Sequence, residues 1–292
     1  MPATPTDASA SVRPLAPPAP TVAPDGGEAR HAALPDAPPA TRATLFLADL
    51  HLSASIPRTV AAFERFIDGI DPRDVGAVYI LGDLFEFWIG DDMLRAPFVA
   101  ALVARLATLQ ARGVTLRIMH GNRDFLLGRR FARAAAAELI ADPFILETAG
   151  ARWILTHGDA LCTDDAGYQR FRRIARRRVV QRLFLAAPHR WRMKLAGDMR
   201  ANSEQAGHSR MHISDVNGGA VAALFARGAA SRMIQGHTHR PARHDESHDG
   251  RAATRWVLPD WELDTTPPRG GYLRLDGQGL REIAVTSPAE TR

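Results

Sequence analysis

Cysteine is almost missing from this chain of 292 residues: Cys162 stands alone. No intramolecular disulfide can form, the thiol fits a reducing compartment, and a structural zinc site built on several thiolates is excluded. Lysine is as scarce, with Lys194 the only one, so basic charge rests on arginine, which reads as a compositional bias of the genome. No apolar run approaches the roughly 18 residues of a membrane-spanning helix. The first forty residues also lack the basic start and continuous apolar stretch of about 7–15 residues that a secretory signal needs, so none is expected.

What those residues do have is proline. Residues 1–40 carry ten of the twenty prolines, many alanines and no hydrophobic period, and they cannot bury enough surface to offset the entropy of ordering. A disordered tail is expected over 1–42, with a short one at 286–292. Asp7, Asp25, Glu28 and Asp36 against Arg13 and Arg30 give the tail −2 of the formal +5, leaving +7 on the rest, which favours an anionic partner. A hydrophobic content of 46% suffices for one ample core, although length alone would allow two domains.

Five segments place a metal-binding side chain at the end of an apolar run: LFLADLHL (45–52), YILGDLFEFW (79–88), IMHGNRD (118–124), WILTHGD (153–159) and MIQGHTHR (233–240). They supply Asp49, His51, Asp83, Asn122, His157, His237 and His239, all oxygen or nitrogen donors. Such a set suits two divalent cations of the Mn²⁺, Mg²⁺ or Fe²⁺ kind. Taken singly, Asp-x-His, GNRD and HGD are ordinary strand ends and turns. Their order, and the unbroken aliphatic run before each, predicts buried parallel strands whose carboxyl ends bring all seven donors to one end of one sheet.

Strands are predicted near 44–50, 77–82, 114–120, 142–147, 151–156 and 231–236, and helices near 57–70, 95–112, 129–139 and 214–228. This alternation favours an α/β fold with a parallel or mixed sheet. From about 240 to 285, short strands punctuated by Pro259, Pro267–Pro268, Gly270–Gly271 and Asp276–Gly277 predict a second sheet of hairpins. Between 165 and 213 the character changes. Arg170, Arg172, Arg173, Arg176, Arg177, Arg178, Arg182, Arg190, Arg192 and Arg200 alternate with apolar residues that include Phe184 and Trp191. That is either a solvated basic surface or a basic amphipathic element lying in a membrane interface.

With these motifs the chain resembles the calcineurin-like metallophosphoesterases, whose pattern is D-x-H, GD, GN, H and GHxH. It is similar in particular to the branch that hydrolyses UDP-2,3-diacylglucosamine, through LGDLFEFWIGDD (81–92), GNRDF (121–125), HGDALCTDDAGYQ (157–169), SDVN (214–217) and GHTHRPA (236–242). The resemblance covers roughly residues 43–285. It implies a four-layer αββα sandwich with a helical lid insertion at about 165–213, and two divalent ions, Mn²⁺ above all. Asp49, His51 and His239 would hold one ion, Asn122, His157 and His237 the other, with Asp83 between them; Asp83, His157, Asn122 and Arg123 would be the catalytic group. It further implies release of 2,3-diacylglucosamine 1-phosphate and UMP in lipid A synthesis, on the cytoplasmic face of a Gram-negative inner membrane. The lid would rest on that membrane peripherally, with no nucleic acid and no obligate protein partner.

One departure from the wider superfamily bears on the reaction. Many relatives carry histidine after Gly-Asn, where it can protonate an alkoxide leaving group; here Arg123 follows, and arginine does not release its proton. A leaving group that is itself a phosphate needs no such acid, and Arg123 is then free to hold a second phosphate. Alternatively, Arg123 forms an ordinary ion pair with Asp124. The resemblance also assigns substrate contacts to Asn122, Arg123, Asp165, Tyr168, Ser203, Arg210 and His237. Read without it, Asp165 is a helix N-terminal acid. Lysines that the family places near 207–210 are replaced by Gly207, His208, Ser209 and Arg210, and Phe87 stands where relatives commonly have a smaller residue. Two other readings stay open: a dinuclear phosphodiesterase for soluble nucleotides, and a non-catalytic module that binds nucleic acid through its arginines.

Overall fold

Each of the five ligand-bearing runs is a strand covered on both faces, which is why none alternates. In the computed structural model, which describes residues 42–205 and 215–285, with side chains up to residue 198 in the first stretch, eleven strands and seven α-helices are numbered in chain order. The described residues belong to one compact unit, His31–Arg292. The tails expected at 1–42 and 286–292 lie outside them, Arg42 apart.

The ligand-bearing strands are β1 (Ala43–Leu47), β2 (Val75–Leu81), β3 (Thr115–Met119), β6 (Ala151–Thr156) and β7 (Arg232–Gln235). The others are β4 (Glu138–Ile140), β5 (Phe144–Thr148), β8 (Ala242–His248), β9 (Arg251–Val257), β10 (Gly271–Asp276) and β11 (Gly279–Ala284). A six-stranded sheet runs β11–β10–β1–β2–β3–β4 and a five-stranded one β5–β6–β7–β9–β8. Neighbours β1 to β4 are parallel, as are β6, β7 and β9.

The five runs are therefore divided between two sheets, which corrects the expectation of one. A parallel strand buried on both faces carries no mark of the sheet it joins. The C-terminal hairpins are divided as well: β8–β9 completes the second sheet, whereas β10–β11 returns to pair antiparallel with β1.

Successive side chains of a strand point to opposite faces, and the core follows that period. Leu45 and Leu47 of β1, Val78 and Ile80 of β2, and Leu116 and Ile118 of β3 pack in the cluster that holds Phe63, Ile67, Leu102 and Leu106. Those partners come from α1 (Pro57–Asp68) and α2 (Pro97–Ala111), beside α3 (Arg129–Ala134). The intervening residues Phe46, Tyr79, Leu81 and Met119 face Leu146, Trp153, Leu155 and Ile234 of the second sheet. On that sheet's outer side, Ile154 and Met233 pack on Val221, Leu224 and Phe225 of α7 (Gly218–Gly228). The layers are αββα. Each such side chain contributes about 1.5–3 kcal/mol relative to exposure.

The helix expected over 129–139 ends at Ala134; Ala136 turns left-handed at φ 49°, and the remainder becomes β4. The stretch after residue 165 forms α4 (Ala166–Ala175), α5 (Arg178–Ala186) and α6 (His189–Gln205), broken at Pro188. LGDLFEFWIGDD secures the surroundings. The Asp91 carboxylate accepts the backbone N–H groups of Gly128, Arg130 and Phe131 at the start of α3, and Asp92 pairs with His189 and the buried Arg192 of α6. Arg192 also donates to the Ile89 carbonyl, so it is a structural anchor and not a solvated cation.

Candidate metal centre

Nine described residues other than glycine have positive φ, and five are candidate ligands: Asp49 (54°), His51 (49°), Asp83 (51°), His237 (69°) and His239 (52°). Each such position costs on the order of 1–3 kcal/mol and persists only where its surroundings over-determine it. Here they do. The N–H groups of Asp49 and His51 donate to the carbonyls of Gly82 (3.2 Å) and Asp83 (3.0 Å), tying the end of β1 to that of β2. The His237 N–H donates to Asp49 Oδ2 at 2.8 Å, across from the second sheet to the first.

The donors meet at this seam. Donor atoms of Asp49, His51 and His239 lie within 4.8 Å of one another, and so do those of Asp49, Asp83 and His157. Asp49 thus belongs to both groups, where the family pattern gives it to one. Asp83 Oδ2 stands 3.9 Å from His51 Nε2 and 3.8 Å from His157 Nε2, between the sets as a bridge requires. His237 packs its ring on His157 at 5.0 Å between centroids.

Several of these atoms suit a cation. The Nδ1–H of His157 donates to the Leu81 carbonyl at 2.9 Å, so the neutral ring aims the Nε2 lone pair at Asn122 Oδ1, itself an acceptor, 2.9 Å away. A second ring proton, a turned Asn122 amide or a shared cation reconciles the two. Nε2 of His51 and Nε2 of His239 face each other at 3.4 Å, where one ring can donate to the other or both lone pairs can meet a cation. Asp49 Oδ1 is buried without a hydrogen bond. The donor set therefore fits two hard or borderline divalent ions.

Burial and mutual charge shift the acids and imidazoles of the site. Burial pushes the Asp83 carboxyl up to about 7. Burial opposes a charge on His157, yet Asp83 and Asp49 raise it to about 9. His237 falls to about 3 through burial and the adjacent His157, and so remains a neutral ligand. Burial also acts to raise Asp49, but its imidazole neighbours, His239 foremost, hold it below the usual carboxylate range.

The glycines of these motifs are spacers. A Cβ on Gly121 would lie 2.0 Å from Asp83 Oδ1, and one on Gly236 would lie 2.5 Å from Asp49 Oδ2. Other supporting groups are invisible in the motif. Asp124 is not paired with Arg123: it is buried, and its carboxylate accepts the N–H groups of Leu84 and Gly121, each at 2.8 Å. Asp260, buried beside Arg269, stands 3.4 Å from His239 Nδ1. Asp159 accepts the Tyr168 hydroxyl at 2.6 Å and Arg172 Nε at 2.7 Å, fastening α4 to the loop that carries His157. These acids sit at strand ends or in turns like many others, and only the fold distinguishes them.

Of the remaining expected contacts, Asp165 caps α4, accepting the Tyr168 N–H at 2.9 Å, as its reading without the family predicts. Tyr168 stacks on His237 at 6.3 Å. Arg123 donates its N–H to Asp83 Oδ1 at 2.8 Å, and its guanidinium, about one-third exposed, lies 3.9 Å from Glu86. Arg210 lies outside the described residues, as does the Ser203 side chain. Asn122, Arg123 and Tyr168 also line a cavity of about 440 Å³ whose other walls are mostly apolar: Phe87, Trp88, Ile89, Phe125, Ile174 and Phe184 among them. Phe184 therefore faces inward, correcting the expectation of an interfacial residue, while Leu183 and Trp191 are 70% and 51% exposed.

The family description of calcineurin-like phosphoesterases matches residues 43–241. The UDP-2,3-diacylglucosamine hydrolase of Ralstonia nicotianae is 48% identical over 252 residues, which cover 83% of this chain and 92% of that protein. The hydrolase of the same name from Serratia proteamaculans is 46% identical over 222 residues, 76% of this chain and 92% of that one. For the one from Bordetella pertussis the figures are 42% over 247 residues, 83% and 95%.

Proposed function

The chain belongs to the calcineurin-like phosphoesterases and, within them, to the UDP-2,3-diacylglucosamine hydrolases, and from that footing we propose that it cleaves the pyrophosphate of UDP-2,3-diacylglucosamine at the α-phosphorus. The products are 2,3-diacylglucosamine 1-phosphate and UMP, in the lipid A pathway of a Gram-negative bacterium. The observation that carries this reading is the apolar cavity walled in part by Asn122 and Arg123: a diacyl substrate needs an apolar chamber beside its phosphates, and a soluble nucleotide does not. Each methylene buried there is worth about 0.8 kcal/mol.

Asp49, His51 and His239 would hold one divalent ion and Asn122, His157 and His237 the other, with Asp83 shared. Two such ions, Mn²⁺ in this reading, supply an activated water and offset the charge that grows on the phosphoryl oxygens. The chain does the rest. Arg123 offers a guanidinium fork to the leaving phosphate, which departs without a general acid because it is already a good leaving group. Tyr168 keeps its hydroxyl on Asp159 and presents its ring to the cavity. Asp165, Ser203 and Arg210 would complete the sugar contacts. Phe87 is one of the apolar residues that line the cavity.

Hydrolysis in ¹⁸O-labelled water tests the reaction. Label is expected in UMP; label in the sugar phosphate would overturn attack at the α-phosphorus. Turnover of a dinucleoside polyphosphate at a rate equal to that of the diacyl substrate would favour the soluble-nucleotide phosphodiesterase instead.

We further propose that α4 to α6 form a lid that rests on the cytoplasmic face of the inner membrane. No described helix is long and apolar enough to cross a bilayer. Val179, Leu183 and Trp191 project from this region beside exposed arginines, and anionic headgroups would add about 1 kcal/mol per basic residue near the surface. Binding to vesicles rich in phosphatidylglycerol is expected to fall with salt, over a Debye length of about 8 Å at physiological ionic strength. The double change Leu183→Ser and Trp191→Ser should weaken it several-fold and raise the KM for diacyl substrate, leaving cleavage of a small soluble diester intact. Equal losses on both substrates would make the segment a support for the fold.

A further inference from the structure

At the end of the sandwich opposite the metal centre, the two sheets part around a cavity of about 1170 Å³. It is bounded by Thr44 near the start of β1, by the β5–β6 turn, by Arg232 at the start of β7 and by Gly277 and Gly279 of the β10–β11 turn. The ligands stand past the other ends of these strands, about 17 Å away at 3.3 Å per residue. Nothing in the proposed reaction uses this space.

Its chemistry is one-sided. Arg42, Arg152, Arg232 and Arg243 line it against Glu147 and Asp276, and Asp276 is already held by Arg274 and Arg281. Trp153 and Trp256 form part of the wall, 5.5 Å apart, with the Arg232 guanidinium 5.1 Å from one ring centroid and that of Arg243 5.7 Å from the other. Such stacking aligns a guanidinium while leaving its N–H groups free to donate.

The decisive observation is an excess of donors. Trp153 is 1% exposed, yet its Nε1–H has no hydrogen-bond partner, and Arg42 Nε is also buried without one, while Arg152 Nε has only a long ion pair with Glu147 at 3.6 Å. Buried donors left unpaired cost about 1–3 kcal/mol each, so two of them in a cavity ringed by four arginines call for an acceptor-rich occupant. One guanidinium fork uses both oxygens of a carboxylate, whereas a terminal phosphate has three oxygens to offer several donors. The volume is far more than an inorganic ion needs and is of the order of small-molecule sites.

We propose that this cavity is a second ligand site, specific for a small organic phosphate whose anionic group engages Arg42, Arg152 and Arg232 and whose organic part lies against Trp153 and Trp256. AMP serves as the probe, titrated calorimetrically into the Mn²⁺-loaded full chain, with 8-azido-AMP crosslinking to locate it and adenosine as the uncharged control. AMP is expected to bind, to crosslink to peptides bearing Trp153 or Trp256, and to bind at least tenfold more weakly after the double change Arg152→Ala and Arg232→Ala. Turnover of the diacyl substrate should be unchanged by that change. Absence of binding at millimolar AMP, equal affinity in the double variant, equal binding of adenosine, or crosslinks confined to peptides bearing Asn122 or His157 would each overturn the assignment.

Discussion

In Asp83→Ala, turnover is expected to fall below about one per cent of the parent and bound metal to fall with it, because one carboxylate serves both ions. Its Oδ2 lies 3.8–3.9 Å from a ring nitrogen of each ligand set. Its Oδ1 accepts the Arg123 N–H, so the substitution also frees the backbone that carries Asn122 and Arg123. A hundredfold loss is about 2.7 kcal/mol, modest for a group that acts on two ions. Asp83→Asn keeps the shape and one acceptor oxygen and should lie between the two. Turnover and metal analysis of protein with a native circular dichroism spectrum provide the check. Activity above about one per cent with full metal content would rule out a shared carboxylate.

A comparable loss is expected from Gly121→Ala, which removes no donor. The added methyl would stand 2.0 Å from Asp83 Oδ1, 2.4 Å from its backbone nitrogen and 2.7 Å from its Cγ. No side-chain rotation relieves a contact with backbone, so either Asp83 or the end of β3 must move. Overpacking of this kind typically costs about 1–3 kcal/mol. A displacement near 1 Å at a catalytic group can by itself cost about a hundredfold in rate. Gly167→Ala is the control, since its nearest neighbour would be Asp165 Oδ1 at an ordinary 3.5 Å. It should preserve activity and, as a glycine replaced within a helix, gain up to about 1 kcal/mol of stability. Equal activity of Gly121→Ala and the parent would mean that Asp83 does not need its observed position.

The positions of the seven donors were legible because burial on both faces turns a strand into an unbroken aliphatic run, and the residue that stops the run is then conspicuous. The division of those strands between two sheets was not legible, since Leu45 to Leu47 and Trp153 to Leu155 read alike whichever layer they join. Backbone handedness was hidden for a different reason. Asp and His are several-fold enriched in the left-handed region yet still adopt it in a small minority of cases, so five such positions could not be read from their identities. The insertion misled through its periodicity: Leu183 and Phe184 are neighbours in sequence, yet one meets solvent and the other walls a cavity. Among its arginines, Arg172 and Arg192 are spent on Asp159 and Asp92, something charge counting cannot distinguish from solvation.

The seam on which the ligands meet has a mechanical consequence. Asp49 and Asp83 follow strands of one sheet, and His157, His237 and His239 follow strands of the other. The contact between Asp49 and His237 alone closes a separation of 188 residues. In a chain with one thiol, no covalent strut can join the two halves of the sandwich. Cations held by this set would serve as a detachable one, tightening the fold in proportion to their supply by mass action. Starvation for metal would then loosen the joint between the sheets as well as silence the chemistry, and the same atoms would set both the rate of the enzyme and its lifetime.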